Sequence, residues 1–310
     1  MKNQYVKNRG KLEIQLNPGE DIEDIVKEFN KYYGYLIYEN KSYRISTRGN
    51  GIYKLDFNLS QEAERKARIT DEYANKIIQD LGLNNRDLED YEKVLKTHDY
   101  IISEADYNQD YFKGRLNDDD YSAYGVLINK KGVCSSYAKA FQLMASKLNI
   151  PCLYVTGRAK GGNHGWNKIM IDGDWYNIDL TWDDPIGSNL LVNYKHFLKS
   201  DSQLVHHIED SRFTYPKAYK EKDFLDEKNY KLKNGEIIEN IYSYNDLISI
   251  INKTKEDHKD YLAIRACGNQ GESEIINLIR QEGLYNGMIY IYDLGDNIYL
   301  FTEFSKLQFN

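Results

Sequence analysis

Three residue types that together perform acyl chemistry stand in order along this 310-residue chain: the thiol of Cys134, the imidazole of His164 and the carboxylate of Asp179. A thiolate adds to an amide or ester carbon, an imidazolium hands its proton to the leaving amine, and a carboxylate holds the ring and stabilises its charge. The product of such attack is a thioester on Cys134. Water as acceptor gives hydrolysis, and an amine gives transfer.

The elements that must position these groups are legible from pattern. Gly132 supplies a tight entry, and Val133, Tyr137, Phe141, Met144 and Leu148 recur at helical spacing, which places Cys134 in the first turn of an amphipathic helix. Unpaired amides and the positive end of the helix dipole favour a thiolate there, and a neighbouring imidazolium favours it further. Downstream, Asp172-Gly173 is a favoured pair for a type I′ hairpin turn, and that register sets Trp166 opposite Asp179 and His164 opposite Thr181. His164, Trp166, Asn177 and Asp179 then share one surface, while Ile169, Ile171, Ile178, Leu180 and Trp182 share the other, which faces inward. His164 and Asp179 become diagonal neighbours, about 7–8 Å apart at the backbone and within side-chain reach. One oxyanion donor is expected from the backbone amide of Cys134. Tyr124 and Trp166 are candidates for a second donor or for an aromatic wall along the acyl chain.

These residues resemble the bacterial transglutaminase-like superfamily. The resemblance rests on Tyr124-Gly125 and Lys131 through Ala138, on Asn163-His164-Gly165-Trp166-Asn167, and on Asp172 through Pro185. Two outer blocks agree: Glu92-Lys93 leading to His98-Asp99-Tyr100-Ile101, and His196-Phe197-Leu198 with Ser200-Asp201. Together they cover roughly residues 60 to 215. The resemblance implies an α+β, papain-like transglutaminase core, with Cys134 as nucleophile, His164 as general base and acid, and Asp179 as its orienting partner. Where many members read Gly-His-Ala-Trp, this chain has Asn163-His164-Gly165-Trp166, so Gly165 adds backbone freedom beside the base.

Composition bounds the remaining possibilities. With 41% hydrophobic and 29% charged residues and four prolines, the chain reads as globular and long enough for two or three units. A net charge of −7 argues against nucleic acid as partner. The 28 tyrosines scatter through the elements and read as half-buried packing. The three cysteines, at 134, 152 and 267, form neither a zinc motif nor a disulfide framework, and Cys152 and Cys267 end or enter apolar runs as structural thiols. No signal-peptide core follows Met1 and no run of eighteen apolar residues occurs, so the chain as written is expected to be cytoplasmic without a membrane span, or extracellular or surface-attached if it is a mature fragment.

The chain divides by pattern into a small α/β module (1–59), the core (60–215) and a C-terminal α/β module (216–310). Residues 11 to 57 read strand, helix, strand, strand, with strands at 12–16, 35–38 and 52–57; residues 261 to 304 read the same way, with strands at 261–265, 288–292 and 298–301 and a turn at Asp296-Asn297. The two ends form a candidate internal repeat, flanking the core and suited to governing access or docking.

Other polar motifs read as structural. Asn117-Asp118-Asp119-Asp120 resembles a cation loop, and the human-type transglutaminases of the family are calcium-dependent, but the run lacks the glycine and terminal glutamate of an EF-hand and reads as a solvated loop. Asp183-Asp184 reads as a turn and hydrogen-bonding element, and His98 as a packing or hydrogen-bonding residue. His206-His207 point in different directions and read as surface or capping residues, and His196 and His258 carry no informative context. No metal or cofactor is expected. Three functions remain: a transglutaminase-type acyl transferase joining a protein glutamine to an amine, a cysteine peptidase or amidase with the same three residues, and an inactive binding module. The expected partners are a protein or peptide substrate and an amine acceptor.

Overall fold

A helix that begins at the thiol forms the centre of the first unit in the computed structural model of the chain. The structure describes residues 10–38, 43–184, 191–221, 231–232, 238–259, 261–267, 271–282, 289–293 and 297–302. It divides into two units, Met1–Leu225 and Asp226–Asn310. The residues expected at Met1–Lys7, Pro185, Met288 and Asp296 lie outside those described.

The first unit opens with β1 (Lys11–Gln15), α1 (Ile22–Tyr33), β2 (Arg44–Gly49) and β3 (Ile52–Asp56), the strands forming an antiparallel sheet in the order β1-β3-β2. Asp21 caps α1, and Val26 and Phe29 bury its apolar stripe against Leu12, Leu55 and Phe57. The second strand is at 44–49 rather than at the expected 35–38. Tyr35 is buried in a short 3-10 turn, Gly34–Leu36, with its amide donating to Gln142 Oε1 and its hydroxyl 3.0 Å from Ser146 Oγ. Every residue of β2 is exposed, so the strand carries no burial alternation for a reader to find.

Next come α2 (Gln61–Asp80), α3 (Asp90–Glu104), α4 (Ala123–Leu127) and α5 (Cys134–Lys147). Ser60 caps α2 and a Glu89/Glu92 capping box starts α3. Helix α5 is buried from Ser136 to Ala145, more fully than an amphipathic reading predicts. Its polar members are held: Gln142 Nε2 donates to the carbonyls of Lys31 and Cys152, and Lys139 Nζ to that of Tyr121. The main core joins Tyr137, Phe141 and Met144 of α5 to Ile77 and Ile78 of α2, Ile101 and Ile102 of α3, and the sheet residues Ile169, Ile171, Tyr176 and Ile178.

That sheet has the order β7-β4-β5-β6, from β4 (Cys152–Ala159), β5 (Gly162–Ile171), β6 (Asp174–Ile178) and β7 (His207–Glu209), all antiparallel. Asp172 (φ 53°) and Gly173 (φ 83°) form the turn between β5 and β6, and the pairs Asn167↔Ile178 and Ile171↔Asp174 set the anticipated register. The second face, expected at the surface, is covered as well. Leu153, Val155 and Trp166 pack there with Leu204, Tyr215, Phe213 and Trp175.

The second unit contains β8 (Glu239–Ile241), α7 (Tyr244–Glu256), β9 (Tyr261–Ala266), α8 (Glu272–Gln281), β10 (Ile289–Asp293) and β11 (Asn297–Thr302), in the sheet order β8-β9-β11-β10. Ile241, Leu247, Ile251, Leu262, Ile264, Ile275 and Ile279 form its core. The β9-α8-β10-β11 run repeats the topology of residues 11–56: strand, helix, hairpin, with the last strand between the other two. Among the described residues no helix is long and apolar enough to cross a membrane.

Candidate active site

Cys134 is the first residue of α5, after the extended Val133. The close approach needed to hold that helix end explains two glycines. A Cβ on Gly132 would sit 2.5 Å from Ser136 Cβ, and one on Gly125 would sit 2.3 Å from the Asp119 carbonyl oxygen. Ser136 Oγ stitches the same place, donating to the Ser122 carbonyl at 2.5 Å and accepting from the Val126 amide at 3.0 Å. The acidic run is part of this scaffold rather than a solvated loop: Asp118–Tyr121 form a 3-10 turn capped by Asn117, Asp120 is buried and accepts from Asn108 Nδ2 at 2.7 Å, and Asp119 meets Lys66 Nζ at 2.5 Å. The thiol therefore stands at a fixed helix end whose first amides have no intrahelical acceptor.

Asp179 follows the last residue of β6 and caps α6 (Leu180–Asp183). Its Oδ1 accepts from the amides of Thr181 (3.1 Å) and Trp182 (3.3 Å), and its Oδ2 from His164 Nε2 (2.7 Å) and His207 Nε2 (2.8 Å). All four partners are donors, so the carboxylate is ionised. Burial opposes that charge, but the facing His164 and the bonds from both histidines outweigh it and hold the carboxyl well below the ordinary range. Because His164 Nε2 must carry its proton to reach Asp179, the lone pair of the neutral ring lies on Nδ1; this tautomer is assigned from the network. The His164 ring is itself pulled down by burial, yet the charge and hydrogen bond of Asp179, with a hydrogen bond and charge from Cys134, raise it to about 10. Cys134, His164 and Asp179 are thus brought together.

The other named candidates are placed differently. Trp166 is buried, its indole N–H donates to Asn177 Oδ1 at 3.2 Å, and its ring lies stacked with His164 at 6.1 Å between centroids. Tyr124 lies on α4 with its ring 5.3 Å from Lys66 Nζ. Trp182 leaves the inner face assigned to it, because the chain turns into α6 at Leu180; its ring lies 5.5 Å from His164 and 4.5 Å from His207. Gly165 leaves room for Tyr154, whose hydroxyl oxygen would sit 2.8 Å from a Cβ there. Burial above all, and then charge on Cys134, pushes the Tyr107 and Tyr154 phenols up, placing both rings in the surroundings of the thiol.

Sequence reasoning missed His207. It sits on β7, where it pairs with Ala159 of β4, two residues from the Gly157 that pairs with His164, so the two histidines stand diagonally across β4. Nothing local to His206-His207 signals this, since the partner lies 28 residues away. A second network surrounds Asp183, which accepts from His98 Nε2 (3.2 Å), His196 Nδ1 (2.9 Å) and the His196 amide (2.9 Å), and Tyr137 donates to Asp184 Oδ2 at 2.5 Å. The structural reading of Asp183-Asp184 and of His98 fits these contacts. Among the described residues, His164, Asp179 and His207 have ligand-type atoms within 4.8 Å of one another, with the carboxylate oxygen already accepting two N–H bonds.

Residues 79–180, which contain all three groups, match the family model of the transglutaminase-like superfamily. This part of the chain is similar to that superfamily. The chain is similar to the crystal structure of a TGase, at 14% identity and a TM-score of 0.35, over 55% of this chain and 50% of that one. It is also similar to a structure from Cytophaga hutchinsonii described provisionally as a cysteine protease, at 17% identity and a TM-score of 0.32, over 54% of this chain and 65% of that one. The chain therefore spans about half to two thirds of the length of these solved chains. No curated protein matches the chain.

Proposed function

We propose that the chain is a thiol-dependent acyl transferase of the transglutaminase type, acting at amide carbonyls through a thioester on Cys134. The observation that carries this reading is the His164 ring, held by Asp179 at 2.7 Å and interacting through its other side with a thiol at the head of a helix. Cys134 loses its proton to His164 Nδ1, and the thiolate adds to the carbonyl of a glutamine side chain. The protonated ring returns the proton to the departing ammonia, leaving the acyl group on sulfur. An amine then attacks the thioester, with His164 taking its proton, and regenerates the thiol. The backbone amide of Cys134 is the first oxyanion donor.

Hydrolysis of peptide or amide bonds uses the same residues. The half-buried position of Cys134, in the surroundings of exposed Tyr121, favours it as the second reading, because water reaches an open thioester. Mass spectrometry of glutamine-containing peptides incubated with protein and a primary amine separates the two. Amine addition is expected; backbone cleavage or deamidation alone would assign hydrolysis. Cys134→Ala must abolish whichever product forms, and a product that persists in that variant rules out the thiol.

A further inference from the structure

We infer that His207 is a positioning residue of the site, fixing the Asp179 carboxylate and through it the ring of His164. The inference rests on the reading of Cys134 as a nucleophile. One carboxylate oxygen accepts from two imidazoles, at 2.7 and 2.8 Å, so Asp179 is held from two directions while its other oxygen is pinned by two backbone amides. Removing the His207 donor leaves Oδ2 held from one side only.

His207 is built into place rather than resting there. Its side chain is 3% exposed and its ring packs against Trp166 at 5.0 Å and Trp182 at 4.5 Å. The intervening strand offers Gly157, where a Cβ would sit 2.1 Å from the Ile208 carbonyl oxygen and 2.8 Å from Trp166 Cη2, so only glycine lets β7 and the indole close over this row. His207 itself pairs with Ala159, two residues from the Gly157 that faces His164, so the strand between the two histidines carries only an alanine and a glycine at these positions.

The sharing has a consequence for protons. While His207 is neutral, the whole charge of Asp179 stabilises protonated His164. When His207 gains a proton, one carboxylate serves two cations whose rings lie 5.5 Å apart, and the His164 imidazolium, with the thiolate it sustains, is weakened. The titratable groups facing His207 are Asp179, His164 and His196, with Lys160 beyond the Trp182 ring. Burial lowers the His207 proton affinity below the ordinary histidine value of 6.5, Asp179 opposes this, and His164 and His196 add to it, so the change falls on the acid side of neutrality.

Alkylation of Cys134 by iodoacetamide, followed from about pH 4 to 8, tests this without any substrate. The wild-type rate should fall on the acid side through two ionisations. His207→Ala should slow alkylation at neutral pH by about tenfold, the order expected for losing one hydrogen bond to a charged group. His207→Gln, which keeps an N–H donor and cannot titrate, should regain most of that loss and show a single ionisation. If His207→Ala does not fold, the His207→Gln curve decides alone. A His207→Gln curve that keeps two ionisations, or an alkylation rate that drops as far in Gln as in Ala, overturns the positioning role. A rate indifferent to His164→Ala overturns the nucleophile reading and this inference with it, so the two failures are distinguishable.

Discussion

Replacing Asp179 with asparagine changes a single atom pair but leaves no satisfactory arrangement for it. The carboxylate has four donors around it: His164 and His207 at 2.7 and 2.8 Å, and the Thr181 and Trp182 amides at 3.1 and 3.3 Å. If the new NH2 faces the histidines, both rings must offer a lone pair at Nε2, and the proton of His164 moves to Nδ1, where it blocks acceptance from the thiol. If the NH2 faces the helix, donors meet donors and the cap of α6 is lost. The first arrangement is the wrong-tautomer case, which costs about 10³–10⁴ in turnover, or roughly 4–5.5 kcal/mol of barrier. The unpaired donor costs about 1–3 kcal/mol of stability and the lost charge beside His164 up to ~5 kcal/mol more, within the 5–15 kcal/mol typical of a folded domain. The measurement is kcat for amine incorporation into a glutamine peptide, with circular dichroism to establish that the variant is folded. A folded Asp179→Asn protein with kcat within about tenfold of wild type would refute the argument from donors and tautomers.

Two further outcomes follow from the geometry. His164 is raised from 6.5 to about 10, so protonation of the folded state stabilises it; the contribution is full below about pH 6.5 and disappears as pH rises through 10, amounting to ~5 kcal/mol at most. The stability difference between wild type and His164→Gln in urea melts should therefore shrink from pH 7 to 10, and a constant difference would contradict the Asp179 pairing. Gly165→Ala brings a Cβ to 2.8 Å from the Tyr154 hydroxyl and 2.9 Å from Cε2, which should cost about 1–3 kcal/mol; Tyr154→Leu should restore most of it in the double variant, and simple additivity of the two losses would show that the clash is absent.

What could be read in advance was local. Asp172-Gly173 fixed the hairpin register, and with it the approach of His164 to Asp179, because a two-residue turn leaves no slack. The spacing of Val133, Tyr137 and Phe141 set the helix start at Cys134 for a similarly local reason. The misreadings came from what the rest of the chain lays over these pieces. Residues around Leu204, Phe213 and Tyr215 cover the hairpin face that alternation had assigned to the surface, and the same segment delivers His207. Trp182 continues the alternation in sequence but not in space, since Asp179 ends the strand by capping a helical turn. Strand β2, exposed throughout, carries no burial signal, whereas apolar Tyr35 and Leu36 imitate a strand while one of them anchors the N-terminal segment to α5.

That anchor bears on how the protein can be handled. Gln142, two turns along the rod that carries the sulfur, gives one amide hydrogen to the Lys31 carbonyl at 2.8 Å and takes one from Tyr35 at 3.3 Å. A recombinant piece trimmed to the family-matched stretch would leave this amide with only its bond to the Cys152 carbonyl and open the rear of the rod to solvent. Such a fragment would be a poorer reagent than its boundaries promise, and a lost activity in it would say more about a missing plug than about the chemistry at the other end.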